Sequence, residues 1–236
     1  MLKNELLEKE FDQFIDEINK IRYEDPLKAI YLLDEGKKQF QVSAMQNEID
    51  AFRNNILFQI KKNNLKTKTN LDTLSLINSL KNKKMDYIFM LNYNELKNRS
   101  LNEFSSEFQY FFNGDGFDNS GFQTLIYDLL QSKNIDFDYK VKNDVINPKK
   151  DGSFLKNESI AKLEKEILNL FKEDVAKSKI ARQVFSGYLF QNWIKILKNK
   201  TFNEYQDIVS VTQVLFGEKN ENDLSKEQKI LYALFK

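Results

Sequence analysis

Apolar residues recur along this chain at alternating spacings of three and four, the repeat of one face of an α-helix. Leu7, Phe11, Phe14, Ile18 and Ile21 form the first stripe and predict a helix over residues 2–23. Asp25 followed by Pro26 reads as an N-cap with proline at the first helical position, opening a second helix to about residue 40 around Leu27, Ile30 and Leu33. So tight a break predicts that the two fold back as a hairpin. Ser43 and Gln46 have capping-box spacing ahead of Met45, Ile49, Phe52, Ile56 and Ile60, a third helix.

Residues 61–69 are polar and basic and read as an internal linker. Asn70 is placed to cap a short helix carrying Leu71, Leu74, Ile77 and Leu80, and another short helix is expected around residues 85–91. Ser100 with Glu103 repeats the capping-box spacing ahead of Leu101, Phe104, Phe108 and Phe111. After the loop Asn113-Gly114-Asp115-Gly116-Phe117-Asp118, a helix resumes near Asn119 or Ser120 and carries Phe122, Ile126, Leu129 and Leu130.

Between residues 134 and 155 the period changes to two. Ile135, Phe137, Tyr139 and Val141 alternate with Asp136, Asp138, Lys140 and Lys142, the pattern of a half-buried strand. A second extended piece, at Val145-Ile146 or at residues 153–155, is expected to pair with it across residues 148–152, giving a short β-ribbon near 135–155. Helical spacing returns with Ile160, Leu163, Ile167 and Leu170, then from Asp174 through Val184, Tyr188 and Trp193 to Leu197. Two closing helices cover about 202–216, ended by Gly217 as C-cap, and 224–235, opened by a Ser225/Gln228 capping box. The pattern is that of an all-α protein: an irregular stack of antiparallel helical hairpins with one ribbon, an N-terminal lobe over 1–66 and a C-terminal lobe over 67–236.

Composition narrows the chemistry. With no His and no Cys among 236 residues, the commonest general base, the usual zinc ligands and the best neutral-pH nucleophile are all missing. Acids at Glu5, Glu8 and Glu10 argue against a secretory signal, and no apolar run approaches the roughly 18 residues of a span, so a cytoplasmic location is expected. The net charge is +1, and among the 36 cations only Arg22, Arg53, Arg99 and Arg182 are guanidinium groups. Neither feature favours a phosphate-reading surface. The Lys-rich stretches 61–68, 81–84 and 140–150 nevertheless keep a nucleic-acid- or ribosome-associated protein open as the alternative.

Gly114 and Gly116 lack the third glycine of a dinucleotide loop, no Gly-Lys-Ser/Thr triplet is present, and the loop fails as a calcium site because Phe117 and Asp118 occupy a ligand position and the glycine position. Paired acids at Asp16/Glu17, Asp34/Glu35, Asp136/Asp138 and Glu173/Asp174 leave a carboxylate-dependent hydrolase as a third reading, although adjacent helical residues point to different faces. No catalytic residue, cofactor site or metal site is assigned. Trp193 reads as a core anchor. The unusual load of 20 Phe and 10 Tyr is too large for every ring near the glycine loop to be buried at once. Phe112, Phe117, Phe137 and Tyr139 are therefore the expected partner contacts, and an unpaired ribbon edge is expected to accept a partner strand.

The run Tyr23 to Glu35, the run Asn119 to Asp136 with the extended piece 137–142 after it, and the region 163–188 together resemble a mollicute and low-GC Gram-positive family of tetratricopeptide-like helical proteins, a domain of unknown function. The resemblance spans most of residues 10–195 and implies an α-solenoid-like stack of hairpins with no catalytic residues to transfer. The chain departs from a true array in lacking a 34-residue period. Pattern and resemblance lead to the same expectation: a non-enzymatic protein–protein interaction module or assembly subunit.

Overall fold

The computed structural model describes residues 2–63, 68–81, 85–113, 119–156, 158–198 and 204–236. Among them the protein is all-α apart from one two-stranded ribbon. The chain divides into two compact units, Met1–Glu107 and Phe108–Lys236.

The first unit holds α1 (Leu2–Ile21), α2 (Pro26–Gln39), α3 (Ser43–Asn63), α4 (Thr73–Leu80) and α5 (Tyr87–Leu96). Asp25 caps α2 as expected, accepting from Lys28 N at 2.9 Å with Pro26 in the first turn. The anticipated stripes meet in one core: Phe11 and Ile18 of α1, Leu27, Ile30 and Leu33 of α2, Ile49, Ile56 and Ile60 of α3, and Ile88 of α5. Gly36 lets Phe14 lie against the α2 backbone, where an added Cβ would stand 2.5 Å from the ring.

Three local expectations change. Gln46 does not close a box on Ser43; its amide donates to Lys37 O (2.7 Å) and Phe40 O (2.6 Å), carbonyls that the end of α2 leaves unpaired. Asp72, not Asn70, caps α4, accepting from Ser75 N at 2.7 Å. The Leu101–Phe111 stretch is a 3-10 helix over Asn102–Phe112, tightened by Phe104 N bonding Leu101 O and by the Ser105 hydroxyl bonding Asn102 O.

The boundary expected after residue 66 falls inside the first unit. Residues 64–67 lie outside the described residues, but the chain beyond them is tied down: Asp25 Oδ2 accepts from Thr69 Oγ1 (3.0 Å) and Asn70 N (2.7 Å), and Arg99 donates to Thr69 O (3.0 Å). A linker would leave these groups to water, whereas here they are paired over 30 to 45 residues of sequence.

The second unit is built around α9 (Val175–Leu197), capped by Asp174 and contacted by α6 (Ser120–Ser132), α8 (Glu158–Leu170), α10 (Tyr205–Leu215) and α11 (Lys226–Tyr232). Its buried residues, Ala181, Val184, Phe185, Tyr188, Leu189, Trp193, Ile196 and Leu197, cover more than one face, as a helix enclosed by neighbours requires. Trp193 is buried, its ring centroid 5.3 Å from Tyr127 and 6.3 Å from both Phe112 and Phe154. Gly217, at φ +80, ends α10 in a Schellman turn, with Glu218 N on Gln213 O and Gly217 N on Val214 O. The Ser225/Gln228 capping box on α11 is present in both directions.

The ribbon pairs β1 (Tyr139–Val141) with β2 (Asp144–Ile146), Tyr139 opposite Ile146 and Val141 opposite Asp144. The turn is Lys142-Asn143, not residues 148–152, which form α7 (Pro148–Asp151) and its glycine C-cap. Asn147 is the reason: its side chain caps α7 through Lys149 N and Lys150 N, and proline in the first helical turn stops the strand. Among the described residues no helix is long and apolar enough to cross a membrane.

Candidate interaction surfaces

Two of the four expected contact residues belong to the interior. Phe112 and Tyr139 are almost fully buried and pack against each other at 5.2 Å, where they extend the Trp193 cluster. Phe137 is half-buried against Tyr139 at 4.8 Å. Phe117 lies outside the described residues, as do Gly114 and Gly116. The aromatic excess is thus largely absorbed by a core that brings together rings from distant parts of the second unit. The β1 edge is also closed: the Gln109 side chain donates to Lys140 O and accepts from Lys140 N, both at 2.9 Å, as a neighbouring strand would.

The Asp136/Asp138 and Asp34/Glu35 pairs are engaged within the fold. Asp136 and Asp138 both accept from the buried Asn147 amide, at 3.0 and 2.6 Å, and are flanked by Lys149 and Lys150. That amide first, and the lysines with it, hold both carboxyls below the usual aspartate range. Asp151 binds Lys198, Asp34 binds Arg53 at 2.8 Å, and Glu35 binds Lys38. The Lys149/Lys150 pair is thereby engaged with acids of its own chain.

One carboxylate stands apart. Glu204 is partly buried beneath the buried Tyr188 hydroxyl and beside Asp207, which accepts from Gln228 at 2.8 Å. Burial is the main cause that raises its carboxyl to about 7, and Asp207 adds to it. At the other end of α10, a cleft of about 340 Å³ lies between the end of α8, the start of α9 and the end of α10. Its walls are Leu170, Phe171, Glu173, Asp174, Lys177, Gln213 and Glu218. Lys177 is ion-paired to Glu218 and lies 5.0 Å from the Phe216 ring, and the Asp174 carboxylate caps α9, so most of the polar lining is already bonded.

A different surface emerges in the first unit. Phe58 is 64% exposed because it sits two residues from both Ile56 and Ile60, on the side of α3 turned away from the core stripe. Lys61, one turn further on, has its ammonium 5.9 Å from the Tyr87 ring of α5. Tyr87 and Met90 occupy the face of α5 opposite the buried Phe89, Asn92, Tyr93 and Leu96, and both are exposed. Beneath them Ile56, Ile60 and Ile88 share one core, with Leu57 and Leu91 packed against it. Phe58, Lys61, Tyr87 and Met90 therefore form one strip on a rigid base. The α3 side of the strip is electropositive, since residues 51–71 contain no Asp or Glu and Lys61 and Lys62 are both exposed. The acid at the start of α5, Asp86, is turned to the backbone, accepting from Phe89 N at 2.9 Å.

No family model, no curated protein and no solved structure matches this chain.

Proposed function

We propose that this protein is a non-enzymatic interaction module or assembly subunit that presents a helical surface to a protein partner. The observation that carries the reading is the strip of Phe58, Tyr87 and Met90 flanked by Lys61, large side chains held outward by helices whose other faces are buried. Aromatic and Met groups on a rigid base supply contact area with little side-chain ordering on binding, and their charged rim sets the choice of partner. The tetratricopeptide-like resemblance belongs to the same proposal, because stacked hairpins work by exposing one helical face. The absence of His and Cys supports it from the side of chemistry.

The test is affinity capture from the native cell with the intact chain and with a Phe58→Ser, Tyr87→Ser double variant, both checked for unchanged circular dichroism and melting temperature. A defined protein recovered in stoichiometric amount, resistant to nuclease and lost with the double variant, is the expected result. Recovery that vanishes on nuclease treatment, or that is indifferent to the double variant, overturns the reading.

A further inference from the structure

Two features of the second unit also gather acids, at the cleft and at Glu204. The cleft beside α8, α9 and α10 has its lysine and one acid joined to each other and a second acid committed to a helix cap. The Glu204 site is a single raised carboxyl at the start of α10 with its neighbours already bonded. Neither names a ligand. The strip does, through its charge.

We infer that the Phe58–Lys61–Tyr87–Met90 strip docks an acidic amphipathic segment of a partner protein, with apolar anchors seated on the two rings and the methionine, and Asp or Glu beside Lys61 and Lys62. This rests on the interaction reading above and specifies its partner. Three observations converge. The apolar groups lie on two adjacent helices joined by the Lys61–Tyr87 contact, so they offer a shallow surface to a segment with side chains at helical spacing. The surrounding α3 sequence is free of acids from residue 51 to its end, so a basic segment would meet like charge along α3, and the one acid next to Tyr87, Asp86, is engaged by the α5 backbone. The cations are Lys without Arg, and half of the strip is aliphatic thioether and ammonium stem, which suits carboxylates and leucine-like anchors better than stacked bases or bidentate phosphates. The patch is small, which places the contact among weak, transient interfaces with marked salt dependence.

The probes are two synthetic helical peptides with the same Leu and Phe face, one with Glu and the other with Lys on the polar face, titrated into the full chain by fluorescence anisotropy. The Glu peptide is expected to bind at least about tenfold tighter than the Lys peptide, and to weaken several-fold between roughly 50 and 300 mM salt. Lys61→Glu with Lys62→Glu should reverse that preference, and Phe58→Ala, a change at an exposed site that leaves the fold intact, should weaken the Glu peptide about fivefold or more. Equal binding of both peptides overturns the inference, as does binding unchanged in Phe58→Ala or a preference for single-stranded RNA over the Glu peptide. A captured partner whose contact segment is basic would also sink it while leaving the interaction module standing.

Discussion

Asp25 shows how much one side chain can carry. It is only 6% exposed, and its two oxygens accept from Lys28 N, Thr69 Oγ1 and Asn70 N, joining the α1–α2 turn to the chain before α4. Asp25→Ala removes a cap and leaves two donors with nothing to bind, so chemical denaturation should show a loss of about 2–3 kcal/mol. Asp25→Asn, which keeps one acceptor, should lose less. Glu204 supplies a pH dependence. Its folded carboxyl titrates near 7, against 4.5 for an ordinary glutamate. Between those values the folded protein holds a proton that the unfolded chain has released, so stability falls as pH rises through the window. The melting temperature should therefore decline from about pH 5 to about pH 8, and Glu204→Gln should flatten that decline. A slope unchanged in the variant would assign it to another group.

At the scale of elements, close contacts and turn geometry overrule intrinsic preference. Alanine is normally worth about 1 kcal/mol over glycine inside a helix. At Gly36 the added methyl meets the Phe14 ring, within the cluster where Phe11, Phe14 and Phe40 pack at 5.2 to 6.4 Å. Gly36→Ala should thus destabilise by about 1–3 kcal/mol instead of stabilising, and pairing it with Phe14→Leu should recover part of the loss. The ribbon turn makes the opposite case. Lys142 sits at φ +55, in the left-handed region where a Cβ is costly. Lys142→Gly should raise stability by about 0.5–1 kcal/mol, read from the denaturation midpoint, because glycine suits the first position of a two-residue hairpin.

For the whole molecule, the division into two units makes a prediction about self-sufficiency. Phe112, Tyr127 and Phe154, whose rings pack on Trp193, all lie in the second unit. A chain of residues 102–236 should keep the blue-shifted emission of a buried indole and unfold in one cooperative step. Emission at the wavelength of hydrated tryptophan would mean that this core needs the rest of the chain. Its apolar stripes, with α9 enclosed by four other helices, argue for the first outcome.

What could be read along the chain was whatever depends on near neighbours. The stripes of α1, α2 and α3, the cap at Asp25, the Gly217 stop and the Ser225 box rest on residues within one or two turns, where helix periodicity and orphan backbone groups dictate the answer. The alternation of residues 135–141 likewise sorted them onto two faces. The outward position of Phe58 was also present in its register, two places off the Ile56–Ile60 stripe, but its meaning required knowing that α5 meets α3 through Ile88 and Tyr87. Only the tertiary structure decided that Phe112 and Tyr139 are interior, that Gln109 closes the ribbon edge, and that Thr69 answers to Asp25. Burial and pairing between residues remote in sequence depend on how elements pack, and a helical or alternating pattern specifies a face without specifying what will cover it.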